Sequence, residues 1–365
     1  MTPTPIPGAV CRPRRLLAVT ALSIASLLAA ACSSDDDSNT AEQTPETDTD
    51  TDTDTDTAIS SLDPENFVAG ALASEPVVVD CTLNDGTTSS CYQIEIAGVP
   101  ADAAVGPFCP PSINSTAEEA GIWQDGTGIV HEADGNFILD LPNLYGSAYP
   151  GSDWLLYDSE TGLVNITDTQ EACEAAARPD VDPAYQNHCV ECSLSYVDGG
   201  VSQTFLIPVT PVPADSIGQT GTAVGISLNG VELAAPAPVS DILSNYTIAA
   251  FDDCGGHVNP VDGYHYHAAT GCTEASSGGF EADGHAALLG YALDGYGIHG
   301  QLDIDGAETE VLDECRGATD EIRGYHYHAA SAGENMFIGC HHGKTAISDD
   351  DIPGGGPGGP GGPPQ

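Results

Sequence analysis

The sequence predicts a mainly β protein: an antiparallel β-sandwich-like domain with little helix and with long loops held by disulfides. Three observations predict it. Short apolar or alternating runs recur along the chain, and Asp-Gly or Asn-Gly turn sequences separate them. Glycine and proline account for 42 and 26 of the 365 residues, so many connections should be irregular. Twelve cysteines are available to staple such connections.

The individual elements follow from these runs. Strands are expected at six of them: Pro76–Val79, Tyr92–Ile96, Phe137–Leu139, Thr204–Ile207, Val224–Leu228 and Thr247–Phe251. Two short segments have the composition of helices, Thr116–Ala120 and Thr169–Ala177. Asp168 is a candidate N-cap for the second of these helices.

The first 31 residues have the pattern of a secretory signal peptide. Arg12, Arg14 and Arg15 form a basic region, and an uncharged apolar run follows at residues 16–30. This run is too short for a comfortable membrane span. The segment is therefore expected to direct export and to contribute nothing to the fold.

The end of this segment resembles a bacterial lipobox. Leu28–Cys32 reads Leu-Ala-Ala-Ala-Cys, although Ala29 stands where such boxes usually carry leucine. Ordinary signal-peptidase cleavage near Ala31 is the alternative. Lipidation of Cys32 would anchor the mature chain to a membrane that it does not span. Ser33 follows the cysteine, which in a Gram-negative cell favours the outer membrane, with a periplasmic or surface-facing domain.

The rest of the chain divides into three segments. Residues 32–66 are predicted to be an acidic, disordered tether, because its Asp-rich run and repeated Thr-Asp pairs cannot bury a core. Residues 77–347 are predicted to form the folded domain. Residues 348–365 are acidic and then Gly/Pro-rich, which is typical of a disordered tail.

The charge balance of the mature chain is strongly acidic. Three of the seven basic residues lie in the signal peptide, which leaves four basic side chains against 55 acidic ones. Such a surface repels nucleic acid and attracts cations. Nucleic acid is therefore excluded as a partner, and no protein partner is indicated.

One hexapeptide, Gly-Tyr-His-Tyr-His-Ala, occurs twice, at Gly263–Ala268 and Gly324–Ala329. In both copies the first histidine lies eleven positions after a cysteine, which indicates one structural unit used twice. In a strand, alternate residues point to opposite faces, so the two histidines of a copy share one face and the tyrosines share the other. We expect the two strands to lie close together, with their histidines converging on one transition metal.

The candidate ligands come from a segment rich in histidine. Nine of the eleven histidines lie between residues 257 and 342. The expected ligands are His257, His265, His267, His326 and His328. A histidine-rich site without free thiolates, in an oxidising compartment, favours copper or zinc. Asp294, Tyr264 and Tyr325 are expected to hydrogen-bond to the ligand rings and fix their tautomers.

Cysteines are expected to form disulfides in an exported chain. Cys11 lies in the signal peptide and Cys32 at the end of the lipobox-like sequence, and the other ten are an even number. The pairs Cys254–Cys272 and Cys315–Cys340 are favoured, because each closes a loop around one copy of the hexapeptide.

Six further cysteines lie upstream. Cys81 and Cys91 flank an Asn-Asp-Gly turn and could be cross-strand partners. The pairing of four others stays open: Cys109, Cys173, Cys189 and Cys192. The last two have the spacing of a redox motif, but no thioredoxin-like βαβ pattern surrounds them, which favours structural cysteines.

The order and spacing of seven short segments resemble the YHYH domain family. These segments are Gly225–Val231, Phe251–His257, Gly263–His267, Gly290–Gly295, Leu312–Cys315, Tyr325–His328 and Ile338–Cys340. The resemblance is densest over residues 224–343 and implies an exported bacterial YHYH-domain lipoprotein. The resemblance names a domain but implies no particular reaction for it.

Two positions depart from the family pattern. The family usually has Pro-Ile-Tyr-Gly after Asp294-Gly295, and this chain instead has a segment that adds His299. In the second copy, Ala318 replaces the residue equivalent to His257. The two copies should therefore not form equivalent sites.

Three functions are compatible with these observations. The first is a membrane-anchored lipoprotein that binds copper or zinc through clustered histidines. The second is a metal-dependent hydrolase, in which Asp294 or Asp262 could act as a general base. The third is a structural or adhesive surface module, in which the histidines are core residues hydrogen-bonded to carboxylates and tyrosines.

Overall fold

The computed structural model describes residues 62–197, 201–308 and 311–347. The expected signal peptide, Cys32, most of the acidic tether and the C-terminal tail lie outside these ranges. Within them, no helix combines the length and the apolar character needed to cross a bilayer.

Strands dominate the described part of the chain. They are β1 Val77–Thr82, β2 Thr88–Ile96, β3 Ile122–Gln124, β4 Val130–Glu132, β5 Gln203–Pro208, β6 Pro213–Gly218, β7 Ala223–Ser227, β8 Glu232–Ala234, β9 Gly256–Asn259, β10 Gly263–Tyr266, β11 Leu288–Ala292, β12 Gly297–His299, β13 Gly317–Asp320, β14 Gly324–His328 and β15 His341–Gly343. The α-helices are α1 Gly135–Tyr145, α2 Gln170–Ala176, α3 Val239–Ser244 and α4 Cys272–Ser277. The expected mainly β fold with little helix is confirmed.

The central feature is an eight-stranded sheet in the order β13-β14-β12-β11-β7-β8-β10-β9. Most neighbours are antiparallel, but β8 pairs with β10 and β12 pairs with β14 in parallel. The order reads the same from both edges if β7–β10 is matched with β11–β14. The sheet therefore consists of two similar halves that meet at the antiparallel pair β7–β11.

A smaller sheet packs on this one. Strands β1, β2 and β5 form an antiparallel three-stranded sheet. Ile94, Ile96 and Ile207 of this sheet form one buried cluster with Ile226 and Tyr291 of the large sheet. Burial of such side chains typically contributes about 1.5–3 kcal/mol each. This contact gives the sandwich-like layering that the alternating runs predict.

Four of the six expected strands are confirmed, and two are wrong. Phe137–Leu139 lies in α1, where the side chain of Asp134 accepts a hydrogen bond from Phe137 N at 2.9 Å and caps the helix. Ile138, Leu141 and Tyr145 are buried on the same helix, at helical spacing. Residues 247–251 form only isolated bridges, such as Ile248 with Cys189, and no strand.

The two expected helical segments are short helices. Helix α2 begins after Thr169, whose side chain accepts a hydrogen bond from Ala172 N at 3.2 Å. The N-cap is therefore Thr169, one residue after the expected Asp168. Residues 117–119 form a 3₁₀ turn closed by a capping box between Thr116 and Glu119.

All ten described cysteines are paired. The three expected disulfides are confirmed: Cys81–Cys91, Cys254–Cys272 and Cys315–Cys340. The four cysteines left open pair as Cys109–Cys189 and Cys173–Cys192. Cys189 and Cys192 thus have different partners, as expected for structural cysteines.

Candidate metal centres

The two Tyr-His-Tyr-His strands do not meet. Strands β10 and β14 are separated in the sheet by β8, β7, β11 and β12, which corresponds to about 24 Å at ordinary strand spacing. The expected convergence of both copies on one metal is therefore wrong. Each copy instead builds a histidine cluster of its own, and each cluster contains a group of three histidines with potential ligand atoms within 4.8 Å of one another.

The first group is the three-histidine cluster, formed by His257, His265 and His267. Antiparallel pairing of β9 with β10 places His257 directly opposite His265, and His267 follows β10. Nε2 of His257 lies 3.1 Å from Nε2 of His265 and 3.2 Å from Nε2 of His267. The rings are close to perpendicular, with centroids 4.8–4.9 Å apart. Three ring nitrogens therefore face one small volume.

Backbone carbonyls fix the orientation of these rings. Nδ1 of His265 donates to the Gly263 carbonyl at 3.1 Å, and Nδ1 of His267 donates to the Ala235 carbonyl at 2.6 Å. A carbonyl oxygen can only accept, so Nδ1 carries the proton in both rings. In the neutral tautomer, each Nε2 then presents a lone pair to the centre of the cluster, as a metal ligand would.

The second group is the four-histidine cluster, formed by His285, His299, His326 and His328. Strand β14 supplies His326 and His328, the parallel strand β12 supplies His299, and the segment before β11 supplies His285. The six distances between ring centroids run from 4.8 to 6.3 Å. Glu281 lies at the edge of the cluster, 3.5 Å from Nδ1 of His299.

Carbonyl acceptors orient these four rings as well. Nδ1 of His285 and Nδ1 of His299 both donate to the Ala286 carbonyl, at 2.7 and 2.9 Å. Nδ1 of His326 donates to the Gly324 carbonyl and Nδ1 of His328 donates to the Gly300 carbonyl, each at 3.0 Å. In all four rings the proton is therefore on Nδ1. Nε2 of His285 lies 3.1 Å from Nε2 of His326, so two lone pairs face each other when both rings are neutral.

In the two halves of the sheet, the histidines that join those of the Tyr-His-Tyr-His copy come from different strands. In the first half, His257 lies opposite His265 on the hairpin partner. In the second half, Ala318 occupies that register position opposite His326, and His299 lies opposite His328 on the parallel neighbour instead. The position that matches His299 in the first half is Ala234. The expected inequivalence of the two copies therefore has a geometric basis.

Burial disfavours protonation of those cluster histidines whose pKa values are shifted. It lowers the pKa of His267 to about 3, with the neighbouring His265 as a smaller cause, and the pKa of His328 to about 4. The pKa values of the other shifted cluster histidines are also lowered, chiefly by burial: His257, His265, His299 and His326. Neutral imidazole is the form that binds metal ions.

Residues 204–315 match the family model described as YHYH protein. This segment of the chain is similar to YHYH proteins. The matched residues include the first Tyr-His-Tyr-His copy and end before the second, which lies at 324–329. No curated protein and no solved structure matches the chain.

The tyrosines of the two Tyr-His-Tyr-His copies lie on the opposite face of each strand. Tyr264 donates to Asp252 at 2.7 Å and Tyr325 donates to Asp313 at 2.9 Å. Tyr327 donates to Asp294 at 2.6 Å. These bonds correct the expectation that Asp294, Tyr264 and Tyr325 orient the histidine rings, because backbone carbonyls do so. The Tyr264–Asp252 and Tyr327–Asp294 pairs instead satisfy buried polar groups on the far side of the strands, and the Tyr325–Asp313 bond is exposed.

A cavity of about 270 Å³ adjoins the three-histidine cluster. All three histidines line it, together with Glu232 and Asp262. Glu232 is 6% exposed and lies opposite His265 on the parallel strand β8. Burial, assisted by the negative charge of Asp262, raises the pKa of Glu232 to about 7. Sequence reasoning missed this residue, because a single glutamate in an apolar run has no distinguishing pattern.

The remaining described histidines lie outside both clusters. Nε2 of His341 contacts the Val224 carbonyl at 3.0 Å, and His342 stacks on Tyr325 with ring centroids 3.9 Å apart. His131 packs against Phe137, and His188 packs against Tyr185. These contacts are those of histidines that support the fold.

Proposed function

We propose that the protein is an exported, membrane-anchored protein that binds transition metal ions, copper or zinc, at two separate histidine clusters. The main support for this proposal is the close contact between the Nε2 atoms of His285 and His326. Both rings donate their Nδ1 proton to a carbonyl, and their Nε2 atoms lie 3.1 Å apart. Two lone pairs at this distance repel each other unless a cation lies between them.

A metal ion meets that requirement better than a proton. The three-histidine cluster has the same close Nε2 contacts, and burial lowers the pKa values of His257, His265 and His267, which disfavours an imidazolium there. Two nitrogen ligands of one tetrahedral ion are about 3.3 Å apart when the metal–nitrogen bonds are about 2.0–2.1 Å. The Nε2 separations of 3.1 and 3.2 Å in the clusters are close to this value. Imidazole ligands without thiolates favour copper or zinc.

The purely architectural alternative accounts less well for these contacts. It requires both nitrogens of each ring to be satisfied by the protein. Nδ1 of His265 and of His267 is satisfied, but Nε2 of each faces the single ring of His257. His257 could donate only one proton to its two neighbours, so a lone-pair contact would remain.

Metal content tests the proposal directly. The mature domain, produced in the periplasm without a histidine tag, is expected to contain about two ions per chain by elemental analysis. His265→Ala and His326→Ala should each remove about one ion, and the double variant should remove both, because the clusters are far apart.

The control is His131→Ala, which changes a histidine outside both clusters and should leave the metal content unchanged. A purified wild-type domain that binds no metal after incubation with copper or zinc would contradict the proposal. Loss of both ions from either single variant would contradict the assignment of two independent sites.

Export and anchoring rest on different observations. Five disulfides fit an oxidising compartment, and Cys32 follows the lipobox-like residues. Acyl chains on Cys32 would supply the membrane affinity, so Cys32→Ala is expected to move the protein into the soluble fraction. Fractionation followed by immunoblotting measures this change. A Cys32→Ala protein that still sediments with membranes would rule out the lipid anchor.

A further inference from the structure

The two histidine clusters differ in the ligands around them. In the four-histidine cluster, His285 belongs to two groups of ligand atoms within 4.8 Å of one another, one with His326 and His328 and one with Glu281 and His299, so further ligands are at hand to close a site. The three-histidine cluster offers three rings, and these rings line the wall of the 270 Å³ cavity. Catalytic zinc sites characteristically combine three protein ligands with one position left for water or substrate. The first half of the sheet therefore has the arrangement of a catalytic centre.

Comparison of matching strand positions in the two halves of the large sheet shows a second difference between the clusters. Glu232 lies opposite His265 in the parallel pair β8–β10. The matching position in the second half is Gly297, next to Ile298, which lies opposite Tyr327. A Cβ atom added at Gly297 would lie 2.8 Å from Leu288 and 3.3 Å from Nε2 of His299. At this register position only the half that has the cavity carries a carboxylate.

We propose that the three-histidine cluster is a hydrolytic centre in which Glu232 is the general base, acting on small uncharged esters with an apolar acyl chain. This inference rests on the metal binding proposed above. Glu232 is on the same strand face as His265, since directly paired residues of neighbouring strands point to the same side. Glu232 lines the same cavity as the three histidines but does not belong to their group of ligand atoms within 4.8 Å, so it is assigned the role of base and not of ligand.

The reaction balances with water as the only co-reactant. The metal held by the three rings would act as a Lewis acid toward the acyl carbonyl. The Glu232 carboxylate takes a proton from a water molecule in the cavity, and the water oxygen forms a bond to the acyl carbon. The carbon–oxygen bond to the alcohol then breaks, and the departing oxygen takes the proton from Glu232. The products are a carboxylic acid and an alcohol.

Neighbouring groups suit this proton transfer. Gln203 lies beside Glu232, and its side-chain Nε2 donates to the backbone carbonyl of Asp262. Its Oε1 atom is buried without a hydrogen-bond partner among the described residues. This oxygen can accept a hydrogen bond from the Glu232 carboxyl while it holds the proton.

The cavity defines the substrate class. Its lining is mostly apolar and includes Val181, Ile242 and Ala249. Its volume lies below the usual range for drug-sized ligands, about 300–1,000 Å³, so the acyl chain must be short. Three carboxylates, those of Glu232, Asp241 and Asp262, line the cavity against one cation, Arg178, and would repel an anionic substrate. A neutral ester such as p-nitrophenyl butyrate fits these requirements.

The test uses the zinc-loaded mature domain and p-nitrophenyl butyrate. Glu232→Gln is expected to keep both ions and to lower kcat/KM by about 100-fold or more, since it removes a general base. His265→Ala should abolish the activity together with one ion. Asp253→Asn, which removes an exposed carboxylate outside the cavity, is the matched charge control and should change kcat/KM by less than about two-fold.

A second variant keeps the test decisive if Glu232→Gln does not fold. Thr222 is exposed at the rim of the cavity, so Thr222→Trp should be tolerated and should narrow the entrance. It is expected to lower kcat/KM about ten-fold more for the butyrate than for the acetate ester. An equal decrease in kcat/KM for both esters would contradict the assignment of the cavity as the substrate site.

Failure of this inference and failure of metal binding give different results. A domain without bound metal contradicts the proposed function itself. A domain that binds two ions but does not hydrolyse the ester, or whose activity survives Glu232→Gln, overturns only the hydrolytic assignment. Loss of activity in His326→Ala with the first ion retained would also overturn it, because the reaction would then depend on the wrong cluster.

Discussion

Removing the Cys109–Cys189 disulfide by paired alanine substitution is expected to lower the free energy of unfolding by about 4.5 kcal/mol. This bridge joins residues 80 positions apart, the largest separation among the five disulfides. In the chain-entropy account, the stabilisation grows with the logarithm of the loop that the bridge closes in the unfolded chain. The Cys81–Cys91 bridge spans only 10 residues and should contribute about 2.7 kcal/mol by the same relation.

The position of Cys189 supports a large effect. It is fully buried, and its backbone forms bridges with both Ile166 and Ile248. Loss of the bridge also leaves space in the main core, to which Cys109 and Cys189 both belong. Urea unfolding followed by circular dichroism measures the change, and the Cys81→Ala, Cys91→Ala double variant is the control. An effect smaller than that of the control would contradict the loop-length argument.

The sequence predicts the layered β architecture because local signals dominate it. Alternating runs such as Tyr92–Ile96 have one face in the core, and that pattern is readable without tertiary information. Phe137–Leu139 is the instructive error. Three consecutive apolar residues are equally compatible with a strand and with a buried helix. The N-cap formed by Asp134 stabilises the helix in this segment.

The shared face of His265 and His267 follows from strand geometry alone, whereas the distance between the two copies does not. The repeated unit is longer than the hexapeptide and includes a preceding hairpin with an Asn229-Gly230 or Asp294-Gly295 turn. The two units meet through β7 and β11, which places the hexapeptide strands toward opposite ends of the sheet. Recognising the turn as part of the repeat would have indicated two sites.

The additional ligands show a second limit. His299 stands out from the sequence as an added histidine, and the register with His328 explains its role. His285 lies in an irregular segment before β11, where no periodicity predicts the direction of a side chain. Its place in the four-histidine cluster depends on the Ala286 carbonyl, which accepts from both His285 and His299.

Acid is expected to destabilise the metal-free domain strongly. The pKa of His267 is about 3 and that of His328 about 4 in the folded chain, and burial is the main cause of both shifts. An unfolded histidine has a pKa of about 6.5. Between these values the unfolded chain binds more protons than the folded chain, so stability falls as the pH falls. At pH 5 each of these two histidines should cost about 2 kcal/mol relative to pH 8.

The same pKa shifts predict how bound metal and substitution of His267 alter the dependence of the free energy of unfolding on pH. Bound metal favours the neutral folded rings, so the metal-loaded domain should resist acid until protons displace the ion. His267→Ala should flatten the decline between pH 8 and pH 5 in the metal-free domain by about 2 kcal/mol, because it removes one buried group that must stay neutral. Thr222→Ala, which changes an exposed residue that does not titrate, should leave the slope unchanged. Chemical denaturation at each pH after removal of metal with EDTA gives the comparison. A slope that His267→Ala does not change would show that this ring is protonated in the folded domain, and the lone-pair argument for the three-histidine cluster would then fail.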